Sequence, residues 1–383
     1  MEHGAHRRIA SYELLRIIAM FMVIVLHYVS QTQSLAVPGT ELTPTRMMGG
    51  LLESFCIVAV NVYVLISGYF LTEAQYKVSR LVRLLAQILF YSLLIPLAMA
   101  CLHMTIYGRG VWKMAEYFLP VSMEHYWFAS AYVLMYLFAP LLNAAVHRMS
   151  RLQLKSVIIL LLIFFCGIKS ISPVQLSTDR MGYDFGWFLC LYLLAAYIRL
   201  YDIPRFDHPL KAGLTYVISC LLIYGLHIGL HLMNEKTGQL QYYATVPFHY
   251  NSFLCLVASI GFFYLFKFVH LDDNRLPGIL ATSVAPFTFG VYLIHEHVDI
   301  RDKWAVWMAN IVGGTWQDAP VRFLLQTAAA SLILYLACIF VDYLRSIIFA
   351  FAERSLSRTK PAAALRRLDA LFAASKDGMA EQM

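Results

Sequence analysis

Apolar residues run in long unbroken blocks along this chain, separated by short polar segments. Ten blocks approach or exceed the ~20 residues that cross a bilayer as a helix. They are 12–31, 50–71, 84–105, 126–146, 155–172, 185–200, 213–233, 249–269, 279–296 and 322–350. The fifth, sixth and ninth are short, and the tenth is long enough to leave the bilayer at its C-terminal end. The blocks are continuously apolar rather than alternating, which predicts helices and speaks against a β-barrel. The expected fold class is therefore an all-α polytopic membrane protein with about ten transmembrane helices. It divides into a membrane unit, 1–351, and a polar tail, 352–383. In the tail, Leu365, Leu368, Leu371 and Phe372 recur at helical spacing beside Arg366 and Arg367. That is the pattern of a basic amphipathic helix lying on a membrane surface. There are no internal repeats.

Composition supports this reading: 60% of the residues are hydrophobic and 14% charged, with a mean hydropathy of +0.63. This excludes an ordinary soluble enzyme. The distribution of Lys and Arg sets the expected orientation. With the N-terminus inside, 20 basic residues fall in inside segments and 8 in outside loops, Arg16 and Arg322 lying within or at spans. Both termini are then cytoplasmic, in a cell membrane. The net charge of +7 reflects topology and contact with anionic lipid rather than nucleic-acid binding. A cleaved signal peptide has a plausible start in Arg7 and Arg8, but Glu13 and Arg16 interrupt the required apolar stretch. The seven cysteines all fall within spans, where apolar packing explains them.

The first span holds the most informative pair. An ionisable residue inside a span is costly and marks a functional site by default. Arg16 and His27 are eleven residues apart, about three turns plus roughly 20°, so they project from one helix face about 16 Å apart. Arg80 and Arg83, three apart at the start of the third span, also share a face and present forked donors suited to phosphate. Each has a structural alternative. Arg80 and Arg83 could be positive-inside anchors, Arg16 could snorkel or pair with Glu13, and His27 could be a satisfied interface residue.

Arg16-(ten residues)-His27, followed by Arg80-Leu-Val-Arg83, resembles the signature of the membrane-bound acyltransferase-3 family. Residues 61–71, 125–143 and 287–295 are similar to softer stretches of the same family. The resemblance implies transfer of an acyl group, usually acetyl from acetyl-CoA, to a hydroxyl of a surface polysaccharide, lipid-linked glycan or peptidoglycan. It also implies a stand-alone transferase without the SGNH domain of some relatives. Under it, Arg16, Arg80 and Arg83 bind acyl-CoA, and His27 serves with Arg16 as the catalytic pair. His27 would be either a general base or a transient acyl carrier.

Eight histidines (His27, His103, His125, His227, His231, His249, His295 and His297) fall towards the outer side, as if around one polar chamber. His295 and Tyr292 resemble the family's ninth-span ending, and with Trp127 and Glu124 they are the substrate-side candidates. Trp127 also fits an aromatic belt. Glu53, Glu124 or Asp184 could orient His27 as a triad carboxylate does. Residues 295–299 contain His295, Glu296, His297 and Asp299 but match no established zinc spacing, so no metal is expected. Ser67-Gly68 reads as a close-packing position. Two alternatives remain: a transporter or flippase, which calls for broken helices and inverted repeats, or an acyltransferase with a non-glycan acceptor.

Overall fold

The computed structural model describes residues 9–107, 110–314 and 319–380, with side chains up to Ala373 in the last segment. Arg7, Arg8, Arg109 and the Lys376 side chain, counted above for topology, lie outside this description. Helices dominate, and no strand occurs among the described residues. In chain order they are α1 Ala10–Gln31, α2 Pro44–Cys56, α3 Ala59–Leu71, α4 Val78–Cys101, α5 Val111–Phe118, α6 Trp127–Arg148, α7 Arg151–Leu162 and α8 Ile168–Ile171. There follow α9 Phe185–Tyr201, α10 Pro209–Thr237, α11 Phe253–Lys267, α12 Leu276–Val284, α13 Thr288–His295, α14 Trp304–Val312, α15 Pro320–Leu356 and α16 Lys360–Ala380. Nine helical segments among the described residues are long and apolar enough to span a membrane, and α9 is a shorter apolar helix. The protein is an all-α, multi-pass membrane protein.

Boundaries differ from the hydropathy blocks where charge lies inside a helix. The third span starts at Val78 rather than residue 84, so Arg80 and Arg83 belong to its opening turns. Four spans are interrupted, which hydropathy alone did not reveal. The second breaks between α2 and α3, the fifth passes through a π-turn at Ile163–Gly167, the eighth joins a 3-10 turn at Tyr243–Phe248 to α11, and the ninth passes through a 3-10 turn at Ala285–Phe287. In the ninth, Pro286 removes a backbone donor. Such breaks are tolerated where neighbouring protein satisfies the freed groups. At the second, the Cys255 thiol reaches the Ile57 carbonyl at 3.7 Å.

Helix α1 is the hub, packing against α2, α3, α11, α12, α13, α14 and α15. Close approach elsewhere needs glycine. A Cβ on Gly68 would lie 2.9 Å from the Ala195 Cβ, which sets the α3–α9 crossing. A tighter contact than this joins α13 to α15. Asp342 and Arg345 form a buried two-pronged ion pair at 2.8 and 2.9 Å. Tyr91 and Gln87 of α4 donate to the same carboxylate at 2.8 and 3.1 Å. A Cβ on Gly290 would sit 2.1 Å from the Asp342 carboxyl carbon. Gly290→Ala is thus expected to cost about 1–3 kcal/mol or more through overpacking. A thermal-unfolding assay in detergent checks it, and an unchanged midpoint would refute the close packing.

Candidate active site

Helix α1 places four side chains along one stripe: Arg16, Met20, Val23 and His27, at the i, i+4, i+7, i+11 spacing of one helix face. Two cavities lie against that stripe. The larger, with about 260 Å³ of free volume, is lined by Arg16, Ser67, Leu71, Arg80, Tyr132 and Tyr136 among others. The smaller has about 20 Å³ and is walled by Met20, Val23, His27, Tyr63, Trp127 and Tyr292, with Val60, Phe128 and Tyr250 completing it. Aromatic side chains connect the two walls. Phe128 of the slot stacks on Tyr132 of the larger cavity at 6.0 Å, and Tyr63 meets Phe128 edge-on at 5.7 Å.

At the deep end, hydrogen bonding fixes the chemistry of His27. The His295 Nδ1 lies 2.6 Å from the Val291 carbonyl oxygen, which can only accept, so that nitrogen carries the proton. In neutral His295 the Nε2 is then an acceptor. It lies 2.9 Å from His27 Nδ1. The Glu296 carboxylate is also 3.1 Å from His27 Nδ1. Both neighbours accept, so His27 Nδ1 donates. The lone pair is left on Nε2 of a ring that lines the slot. This is the tautomer of a base oriented from behind by an acceptor, the logic of a catalytic triad.

The carboxylate behind His27 is Glu296, which replaces the three candidates read from sequence. Glu124 is exposed, in a 3.2 Å pair with Arg180. Asp184 accepts from the Trp187 N–H at 3.0 Å and caps α9. Glu53 has a buried oxygen with no hydrogen-bond partner, but it does not bond His27. Sequence reasoning passed over Glu296 because it weighed residues 295–299 only as a metal motif. The signal available was a carboxylate beside the span-ending histidine. His27, His295 and Glu296 also offer one ligand atom each within 4.8 Å of one another, so they form a candidate metal-ligand set. The hydrogen bonds above engage the same three side chains.

Trp127 lies in the slot wall, stacked on Tyr250 at 5.9 Å and 4.5 Å from Tyr183. Tyr292 lines the slot, and its hydroxyl accepts from the Phe128 N–H at 3.3 Å. Arg16 combines its two readings: it pairs with Glu13 at 3.1 Å and lines the larger cavity. Arg80 lines that cavity too. Arg83 instead faces outward and grips Glu353 at 2.8 and 2.9 Å. The expected single histidine chamber resolves into separate groups. His27 and His295 meet at the slot, His125 lies 4.6 Å from His297, and His227 lies 6.3 Å from His231 on α10. His297 lies beyond the ninth span, and burial pushes its imidazole down to about 3. It is neutral at physiological pH.

These features define a multi-pass membrane protein whose first helix carries a guanidinium in one cavity and an oriented imidazole in the next. The chain belongs to the acyltransferase-3 family: the family model described as an acyltransferase domain matches residues 9–351. It is therefore a membrane acyltransferase. No curated protein and no solved structure shows a significant match to the chain.

Proposed function

We propose that the protein moves an acetyl or similarly small acyl group from acyl-CoA, reached from the cytoplasmic face of the cell membrane, to a hydroxyl of a surface or lipid-linked glycan. The observation that carries this reading is the pair of cavities along one face of α1, with Arg16 and Arg80 in the larger and His27 in the slot. The phosphates of CoA suit the guanidiniums. The pantetheine arm is long enough to follow the α1 stripe, bringing the thioester to the imidazole. The slot's small free volume favours a short acyl group, since a single water already needs 10–15 Å³ measured this way.

In the reaction, His27 Nε2 takes the proton of the acceptor hydroxyl as its oxygen attacks the thioester carbonyl. The C–S bond breaks, the sulfur leaves as thiolate, and the imidazolium returns a proton to it. The products are an ester and free CoA. The imidazolium would be stabilised by Glu296 on its other nitrogen. Alternatively, Nε2 itself attacks and carries the acyl group to the acceptor, with the same overall balance. Trp127, Tyr183 and Tyr250 offer flat aromatic faces of the kind on which a sugar ring can lie. No metal takes part in this scheme.

Mass spectrometry of surface glycans from producing and deleted strains, with acyl-CoAs of increasing chain length offered to the purified protein, tests the proposal. O-acetylated glycan that vanishes on deletion, and a rate that falls steeply beyond short acyl chains, are expected. An O-acylated peptide or lipid in place of the glycan would overturn the acceptor assignment. Glu296→Gln keeps the shape and a hydrogen-bond acceptor but removes the charge behind the imidazolium. It is expected to lower kcat about 10–100-fold with KM little changed. A wild-type kcat in that variant would leave orientation to His295 alone.

A further inference from the structure

The opening of α4, which carries Arg80 and Arg83, is covered by residues from far along the chain. Asp369 of α16 accepts the backbone N–H of Ser79 at 3.0 Å. Ser79 lies in the first turn of α4, where N–H groups have no intrahelical partner and negative charge is favoured. The residue that precedes the helix, Lys77, supplies no side-chain cap, so the cap comes from 290 residues away. Glu353, near the end of α15, holds the Arg83 guanidinium with both oxygens. Phe372 packs edge-on against Tyr76 at 4.8 Å. Tyr76 in turn lies 5.0 Å from Tyr136, a wall residue of the larger cavity. Asp369, Glu353 and Phe372 all fall beyond residue 351, where the family match ends.

We propose that this C-terminal segment is a built-in competitor for the donor. In the resting protein its two carboxylates hold anion-binding groups at the opening of α4, beside the cavity that Arg80 lines, and a phosphorylated donor must displace them. The inference rests on reading the Arg16–Arg80 cavity as the acyl-CoA site. The contacts have the character of an exchangeable latch. The Arg83–Glu353 side chains are 62% and 51% exposed, and a surface pair of this kind is weak and salt-sensitive. Phe372 is 39% exposed, so the tail helix docks shallowly here. A phosphate brings about twice the charge of a carboxylate and three acceptor oxygens, which lets it win the exchange. The basic face of the tail, with Arg366 and Arg367, can then rest on anionic lipid, the surface role its amphipathic pattern suits.

The test uses the full chain in nanodiscs and acetyl-CoA as the probe. Asp369→Asn combined with Glu353→Gln keeps side-chain shape and removes both charges. The double variant is expected to bind acetyl-CoA about three- to tenfold more tightly, lowering KM while leaving kcat unchanged. A second measurement guards against misfolding. Tyr76→Cys with Phe372→Cys, in a protein whose exposed Cys101 is replaced by Ser, allows the tail to be locked by a short reducible bis-thiol crosslinker, which should suppress acetyl-CoA binding until a reductant restores it. Unchanged or weaker binding in the double variant, or equal binding by the locked and reduced forms, would overturn the latch. Failure of the wild type to bind any acyl-CoA would instead overturn the donor reading itself.

Discussion

His27→Ala is expected to abolish acyl transfer, and with it the slow hydrolysis of acetyl-CoA, while donor binding stays near wild type. The loss should be at least the 10²–10⁴-fold typical of a removed general base, and greater if the ring is acylated on the way. The expectation rests on the two acceptors at Nδ1, His295 Nε2 at 2.9 Å and the Glu296 carboxylate at 3.1 Å, which leave a single basic nitrogen on the ring. Alanine removes that nitrogen without touching Arg16, three turns away, or Arg80 across the larger cavity. Radiolabelled acetyl-CoA with purified protein in nanodiscs separates the two effects: equilibrium binding reports the cavity, and thioester loss reports the imidazole. Acid quenching without acceptor adds a second answer. Label retained on wild-type protein and absent from His27→Ala would identify an acyl-histidine, whereas no retained label with normal turnover would make His27 a base. Near-normal turnover in the alanine variant would remove His27 from the chemistry altogether.

Much of this frame was legible in the sequence because membranes impose simple rules. Continuous apolar blocks must be helices, and the spacing of Arg16 and His27 puts both on one face whatever they pack against. What packs against that face was another matter. His295 lies 268 residues from His27, and only the resemblance to the family's ninth-span ending drew attention to it. Glu296, one residue further, was marked only by standing beside that histidine, and tertiary contact is what selects it over Glu53, Glu124 or Asp184. Arg80 and Arg83 share one turn and looked equivalent, yet one faces the cavity and the other meets Glu353 on α15. Asp342 and Arg345 did leave a trace, as opposite charges three apart inside an apolar span. Their partners Tyr91 and Gln87 come from α4, and the need for Gly290 appears only once α13 is laid against them. The helix breaks were hidden for a related reason: hydropathy averages over them, and at the second span the group that meets the Ile57 carbonyl comes from α11.

The larger cavity yields the second strong prediction. Arg80→Ala is expected to raise the KM for acetyl-CoA about 10–100-fold with kcat much less affected. That range corresponds to one lost hydrogen-bonded charge pair with a phosphate, about 1.5–3 kcal/mol. Arg83→Ala should cost only a few-fold, because its guanidinium is not in the cavity wall and is held by Glu353, so its removal also frees the carboxylate that competes with the donor. The contrast between two arginines of one motif is the informative part, since simple membrane anchors would respond alike and would leave KM unmoved. Arg16 needs more care. On the proposed function its removal strips a phosphate ligand, and it also leaves the buried Glu13 carboxylate, 3.1 Å away, without its partner, so Arg16→Ala should lose stability as well as affinity. Replacing both members, Glu13→Gln with Arg16→Gln, removes the stranded charge. That pair should recover most of the thermal stability and none of the affinity, with KM still raised about tenfold or more. If KM recovers together with the melting temperature, Arg16 serves the helix bundle rather than the donor. If KM stays high on a stable protein, the guanidinium on the first helix is holding phosphate.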